Sequence, residues 1–357
     1  MNLHYPNSRA VIDFSILKKN IKALKQLAGP DKKIMAVIKA DAYSHGAIET
    51  ALTIENIIDW FAVATADEGI ELREAGIIKP VLIFGVPASE TGEVFLRNQL
   101  TATVSHNTHF SLLSDGTQFH INFDTGMGRL GFKPEECHEV RVMINDHPHL
   151  ECTGIYSHYA TADDPGSVFV MQQSERFKII SDQFPEIENK HISNTGAAVH
   201  YKYEHYDMIR IGLGLWGYTP GIIQSDVLKP VMNWKTFLAE VRPVKKGEAI
   251  SYGATWKCPH DGYIGTIPVG YADGIPRSLS NKLEVYINGI HYPVAGNVTM
   301  DYTMIWLGGR NLEIGTEVEL MGGNAWPANK WAETAGTNTH EILTNITPRV
   351  KKTYLET

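Results

Sequence analysis

Cysteine is scarce in this sequence: Cys137, Cys152 and Cys258 stand far apart among 357 residues, with no C-x-x-C. An odd, scattered set excludes both a disulfide framework and a thiolate zinc site, and it suits a reducing cytosol. Long apolar runs are missing as well. None approaches the ~18 residues that a membrane span needs, and Met1-Asn-Leu-His-Tyr-Pro6 lacks the apolar core of a signal peptide. The chain is therefore expected to be cytoplasmic, with no membrane contact of its own. Basic clusters are absent and the net charge is −8, which argues against nucleic acid, because neutralising phosphates takes clustered Lys and Arg. With 43% hydrophobic and 20% charged residues there is no signature of disorder. Small-molecule chemistry on a large core is the class that remains.

What is present is organised around Met35-Ala-Val-Ile-Lys-Ala-Asp-Ala-Tyr-Ser-His-Gly46. Its first four residues read as a buried strand, and Lys39 stands where that strand gives out. Desolvation lowers an amine's pKa toward the range where it can attack a carbonyl. A lysine at a strand end is also the ordinary solvated terminus of many strands, so Lys39 alone decides nothing.

The surrounding text repeats one grammar of apolar run, turn and helical stretch. The runs are Ile34 to Ile38, Trp60 to Ala64, Val81 to Phe84, Thr101 to Val104, Phe119 to Phe123, Cys152 to Tyr156, His191 to Ser193 and Met208 to Leu213. Helical candidates between them include Ala66 to Ala75, opened by the capping-box pattern Thr65-Ala-Asp-Glu68, and Ser167 to Phe184. Eight such units without a sequence repeat predict a (β/α)8 barrel over residues 1–230, with a doubly wound sheet as the alternative. A barrel carries its chemistry where strands end at the C-terminal face. Lys39, Asn122, Asp124, His158, Asn194 and Thr195 all fall at run ends, and Arg210 lies in the last run. Each has a bland reading: a core histidine, a turn asparagine, a barrel-mouth ion pair. Their shared placement is what points to a site.

After Tyr218-Thr-Pro-Gly221 the grammar changes to strands joined by turns, among them Phe237 to Val241, Ala249 to Tyr252, Tyr263 to Pro268 and Tyr302 to Leu307. This predicts a mostly-β domain over 231–357, with Asn288-Gly289 as a type I′ hairpin turn. The short strand Ser8 to Phe14 is expected to pair with it.

A barrel with a strand-end lysine followed by a β domain resembles the fold-type III enzymes of pyridoxal 5′-phosphate (PLP). Five motifs, in order and over nearly the whole chain, resemble the alanine racemase family. They are Ala36-Val-Ile-Lys-Ala-Asp-Ala-Tyr-Ser-His-Gly46, Asp124-Thr-Gly-Met-Gly-Arg-Leu-Gly131, Ser251-Tyr-Gly-Ala-Thr-Trp256, Pro268-Val-Gly-Tyr-Ala-Asp-Gly274 and Gly296-Asn-Val-Thr-Met-Asp301. Ser44 stands where that first signature usually has glycine. The resemblance implies that Lys39 carries the cofactor and, once released, is the base for the D-enantiomer. It implies Tyr252, from a partner subunit, as the second base, and hence a homodimer with shared sites. His158, held by Arg210, would supply the positive charge that lowers the phenol's pKa, and Arg210 would donate to the pyridine nitrogen. Asn194, Thr195, Gly212, Leu213 and the Tyr43 hydroxyl match cofactor-binding positions, the last four of them around the phosphate. Arg129 and the backbone at Met300 match the substrate carboxylate site, with Asp301 orienting its neighbours or serving as a turn aspartate.

Two positions depart from the family pattern. Asn122 stands where many members have a carbamylated lysine, so a chloride or an amide contact to Arg129 is expected to replace the carbamate. Asn345 stands where numerous members place a tyrosine over the substrate side chain. An asparagine there opens space and offers hydrogen bonds to a hydroxyl, and in this the chain resembles the serine/alanine racemases of vancomycin-resistance operons. That likeness implies racemisation of serine as well as alanine, a role in supplying D-amino acids to the cell wall, and the cytoplasmic domain of a membrane-anchored protein. The alternatives carried forward are a strict alanine racemase, a fold-type III amino-acid decarboxylase, a non-catalytic single-barrel cofactor carrier, and a cofactor-free binding module. No metal is expected.

Overall fold

The computed structural model describes residues 7–202, 205–221 and 223–356. Two compact units are present, one holding Lys18–Ala42 and Gly46–Leu228, the other Met1–Leu17, Tyr43–His45 and Lys229–Thr357.

The first unit is a (β/α)8-type barrel. Its eight strands are Lys33–Val37, Trp60–Val63, Val81–Ile83, Ala102–Val104, Gln118–Asn122, Glu151–Tyr156, Asn189–His191 and Met208–Ile211. They pair in parallel in the orders third-second-first-eighth and fourth-fifth-sixth-seventh. Third and fourth strands meet at the bridge Leu82–Thr101, and the Arg210 N–H donates to the Ser193 carbonyl at 3.0 Å across the seventh and eighth. Strands covered on both faces must be apolar nearly throughout, as Trp60-Phe-Ala-Val63 and Val81-Leu-Ile83 are. Alternate residues on the first three strands and the eighth, namely Met35, Val37, Trp60, Ala62, Leu82 and Met208, form one core cluster. The fifth, seventh and eighth strands also bury polar groups: His120, Asn122, His191 and Arg210.

The helix Ala66–Glu74 starts at Thr65 with the capping box read from the sequence, and its Glu68 carboxylate accepts from Ala64 N at 2.6 Å and Thr65 N at 3.2 Å. Val168–Gln183 forms a 16-residue helix over the span expected of it.

In the β-rich unit one sheet runs in the order Ile290–Pro293, Glu284–Ile287, Glu317–Met321, Met232–Phe237, Arg9–Asp13, Lys351–Leu355. Arg9–Asp13 lies antiparallel to Met232–Phe237, with Ala10 opposite Trp234, and parallel to Lys351–Leu355. Asn288 and Gly289, at φ 47° and 88°, make the left-handed hairpin turn. Two strand boundaries differ from the sequence reading. Phe237 to Val241 is two strands, Met232–Phe237 and Glu240–Val244, interrupted at Leu238-Ala239. Ala249 to Tyr252 stops at Ile250, because Ser251 takes φ 66° and its hydroxyl donates to the Asn297 carbonyl at 2.6 Å, opening the turn Tyr252–Ala254.

Candidate active site

Lys39 follows the first barrel strand and begins a turn that no propensity scale forecasts. Ala40, Asp41, Ala42, Tyr43 and Ser44 have φ of 53°, 51°, 54°, 55° and 62°, a left-handed helical turn made without glycine. Such a conformation costs about 1–2 kcal/mol per residue, so surrounding bonds must hold it. Glu68 accepts from Ala40 N at 2.6 Å, Asp41 accepts from Ala47 N at 2.8 Å, and Ala42 N reaches the Ile38 carbonyl at 2.9 Å. Tyr43 to His45 belong to the β-rich unit, where Ser44 Oγ donates to the Thr344 carbonyl and the Tyr43 ring lies 5.9 Å from that of His340. The turn begins at Lys39, and the right-handed helix Ala47–Ile54 follows it. Burial, and then the charge of Arg129, lowers the Lys39 pKa, with Glu68 opposing them. The Lys39 Nζ sits 6.0 Å from the Phe84 ring centroid.

Arg210, on the eighth strand, is 3% exposed. Its guanidinium donates to the carbonyls of Ser157 (2.7 Å), Ile192 (3.1 Å) and His191 (3.1 Å), and it faces His191 Nδ1 at 2.8 Å and His158 Nδ1 at 2.9 Å. Among the described residues no carboxylate pairs with it. Burial pushes its pKa down to about 10, which leaves it a cation at neutral pH. Guanidinium nitrogens only donate, so both imidazole nitrogens that face it must accept. His191 then carries its proton on Nε2 and donates to His120 Nδ1 at 3.0 Å, which leaves the His120 proton on Nε2, a buried atom with no hydrogen-bond partner among the described residues. Burial and then Arg210 hold both histidines neutral, His120 at about 3 and His191 well below its usual range. The same logic makes His158 a neutral acceptor toward Arg210. In this arrangement the guanidinium behind His158 carries positive charge.

The loop after the fifth strand is tied by Asp124. One oxygen accepts from Gly126 N (3.0 Å) and Gly128 N (2.9 Å), and the other meets Lys133 Nζ at 2.6 Å. Burial raises this carboxyl's pKa, and Lys133 with the two N–H groups outweighs it, so the group stays low. Gly131, at φ 124°, lets the loop return within 2.6 Å of Asp124 N as measured from a Cβ placed there. The loop carries Arg129, exposed. Asn122 Nδ2 donates to the Leu130 carbonyl at 3.2 Å, which ties this side chain to the loop backbone beside Arg129 and leaves Oδ1 as its acceptor.

Asn194 caps the helix Thr195–His200 by accepting from Ala197 N at 3.0 Å. Thr195 Oγ1 accepts from both Gly212 N (3.2 Å) and Gly214 N (3.3 Å), so two donors beside Leu213 converge on one hydroxyl at long range. That is a cradle for a stronger acceptor such as a phosphate oxygen. With a strand-end lysine of lowered pKa and a buried cation lacking a carboxylate, these groups fit PLP: Lys39 would hold its aldehyde, Arg210 its ring nitrogen and the Thr195 cradle its phosphate.

In the β-rich unit Tyr252 is 75% exposed, and Tyr271, Met300 and Tyr302 are exposed too. Asn297 Nδ2 holds the Tyr252 carbonyl at 2.8 Å. Asn345 closes the helix Thr339–Thr344, exposed, and its amide has no hydrogen-bond partner among the described residues. Sequence reasoning passed over Glu68, His191 and His120. Glu68 was visible only as a capping-box residue, and His120 and His191 sit in the barrel strands Gln118–Asn122 and Asn189–His191, where a histidine reads first as core.

Residues 12–220 match the family described as alanine racemase, N-terminal domain, and residues 231–354 match alanine racemase, C-terminal domain. The chain is 37% identical over 361 residues to the alanine racemase of Synechocystis sp., covering 96% of this chain and 97% of that one. Among solved structures it resembles the alanine racemase from E. faecalis (TM-score 0.93, 30% identity, 99% and 100% of the two chains) and that of Clostridium difficile 630 (TM-score 0.91, 33% identity, 99% and 97%).

Proposed function

This chain belongs to the alanine racemase family, whose enzymes use PLP, and from that premise we propose that it interconverts L- and D-alanine. The observation that carries the reading is Arg210, a buried cation whose protein partners are all neutral. It suits a ring nitrogen that must stay unprotonated, because a guanidinium donates a hydrogen bond without handing over its proton.

When bound, PLP supplies the electron sink that stabilises negative charge at the substrate Cα. Lys39 holds the cofactor and, once released, moves the proton at Cα on one face; its lowered pKa favours the neutral amine that can accept it. Tyr252 of the partner subunit moves the proton at the same atom on the other face. His158, accepting from Arg210, presents its remaining N–H as a donor of the polarity that steadies a phenolate, strengthened by the charge behind it. Thr195, Gly212 and Leu213 hold the phosphate, and burial pushes the Tyr43 pKa up, which keeps its hydroxyl protonated as a phosphate donor must be. Arg129 and the Met300 N–H bind the substrate carboxylate. Exposure of Tyr252, Tyr271, Met300 and Tyr302 on one unit supports a second copy as the covering partner.

The test is D-alanine formation from L-alanine by the purified protein, with and without added PLP. Cofactor-dependent activity is expected; its absence would return the fold to the decarboxylase or binding-protein readings. Asn345 favours a second reading, serine as co-substrate, since a site that hydrogen-bonds a hydroxyl discriminates better than an apolar slot. Asn345→Tyr should then lower the ratio of serine to alanine turnover, and an unchanged ratio leaves alanine alone.

A further inference from the structure

Three stretches of the β-rich unit are stitched together around one arginine. In Gly270-Tyr-Ala-Asp-Gly274, Tyr271 N donates to the Thr299 carbonyl at 2.9 Å and Ala272 N to the Met300 carbonyl at 3.0 Å. A Cβ on Gly270 would lie 2.2 and 2.4 Å from those two carbonyl oxygens, so only glycine permits this approach. Asp273 folds the turn by accepting from Gly270 N at 2.9 Å, and its side chain is nearly buried. The segment Asn345 to Arg349 closes over the turn: Thr347 N donates to the Asp273 carbonyl at 3.0 Å, and its hydroxyl to that of Ala272 at 2.9 Å. Arg349 joins all three. Its Nε lies 3.3 Å from Asp273 Oδ1, and its Nη2 donates to Asp301 Oδ1 at 2.9 Å.

We propose that Arg349 is a positioning residue that sets, through Asp273 and Asp301, the placement and electrostatics of the Met300 backbone on which the substrate carboxylate is read. This rests on the racemase reading above. Two carboxylates flank Met300, one three residues along the Gly270–Asp273 turn and one adjacent in sequence, and both repel an amino-acid carboxylate. Arg349 is the one cation that pairs with either among the described residues. Burial raises the Asp273 pKa, with Gly270 N and Arg349 opposing and Asp301 adding to the rise, so the buried acid depends on this partner for its charge. Arg349 and Asp301 are 40% and 48% exposed, where an ion pair contributes little to stability. Its consequence therefore falls on ligand binding more than on the fold.

The experiment compares the PLP-loaded wild type with Arg349→Met, Arg349→Lys, Asp301→Asn and the double variant of Arg349→Met with Asp301→Asn, measuring KM and kcat for L-alanine, bound-cofactor absorbance and Tm. Arg349→Met should raise KM about tenfold with kcat within about threefold and the absorbance unchanged. Arg349→Lys should recover part of that loss. Adding Asp301→Asn to Arg349→Met should bring KM back down, because it removes one of the uncompensated negative charges. An active wild type whose Arg349 variants keep the KM, or lose kcat, cofactor and Tm together with no recovery in the double variant, would overturn this role alone. If Arg349→Met does not fold, Arg349→Lys carries the same test through a smaller KM increase, and an unchanged KM would overturn it. A wild type inert on L-alanine would overturn the racemase reading itself.

Discussion

At the residue scale the site is governed by which groups can only donate. Arg210 forces His191 and His158 to accept, and His191 passes the constraint to His120. Room for that second imidazole comes from Gly154, where an added Cβ would lie 2.6 to 2.7 Å from three ring atoms of His120. Gly154→Ala should therefore destabilise the protein by about 1–3 kcal/mol in urea denaturation, the cost of overpacking a filled interior. His120→Leu should cost about 1–3 kcal/mol by stranding the His191 Nε2–H. Lys39 gives a pH-dependent signature. Its folded-state pKa lies below the ordinary 10.5, so the apoprotein is penalised while the amine is charged, and the penalty fades as pH rises from the folded value to 10.5. Apo Lys39→Met should be more stable than apo wild type at neutral pH, with the difference closing toward pH ~10.5. Lys39, His158 and Arg210 were legible because they fall at or in apolar runs of barrel type. His120 and His191 were not, because a buried histidine reads first as core.

Elements were legible where one physical signal dominated. Most of the barrel strands announce themselves as apolar runs, the polar seventh, Asn189-Lys-His191, being the exception, and Thr65 to Glu68 reads as a cap, because burial on both faces and an orphan N–H each demand particular residues. The left-handed turn Ala40 to Ser44 was illegible. Nothing in Ala-Asp-Ala-Tyr-Ser favours φ above zero, and the bonds from Glu68 and Asp41 that hold it exist only in the folded chain. Strand limits at Leu238 and Ser251 failed for a related reason: Leu238 at a turn still looks like a strand residue, and the bond from Ser251 to the Asn297 carbonyl at its φ of 66° exists only in the folded chain. The turn makes its own prediction. Ala40 is exposed at φ 53°, so Ala40→Gly relieves about 1–2 kcal/mol of strain and gives back about 0.5–1 in unfolded-state entropy. A net gain of about 0.5–1 kcal/mol should appear in denaturant titration.

For the whole molecule, Lys39, Arg129, His158, Thr195 and Arg210 belong to the first unit, and Tyr43, Tyr252, Met300 and Asn345 to the second. Among the described residues no helix is long and apolar enough to cross a membrane, and no group of histidines, cysteines and carboxylates could hold a metal. The central claim is that Lys39 of one subunit and Tyr252 of its partner work on one substrate carbon. Mixed dimers test it most directly. Lys39→Ala and Tyr252→Phe proteins should each be nearly inert, and equal amounts unfolded, mixed and refolded with PLP should form D-alanine from L-alanine at about one quarter of the wild-type rate, because half the dimers carry one intact site. Two inert variants that stay inert after mixing, with dimers present in sedimentation, would contradict the shared site.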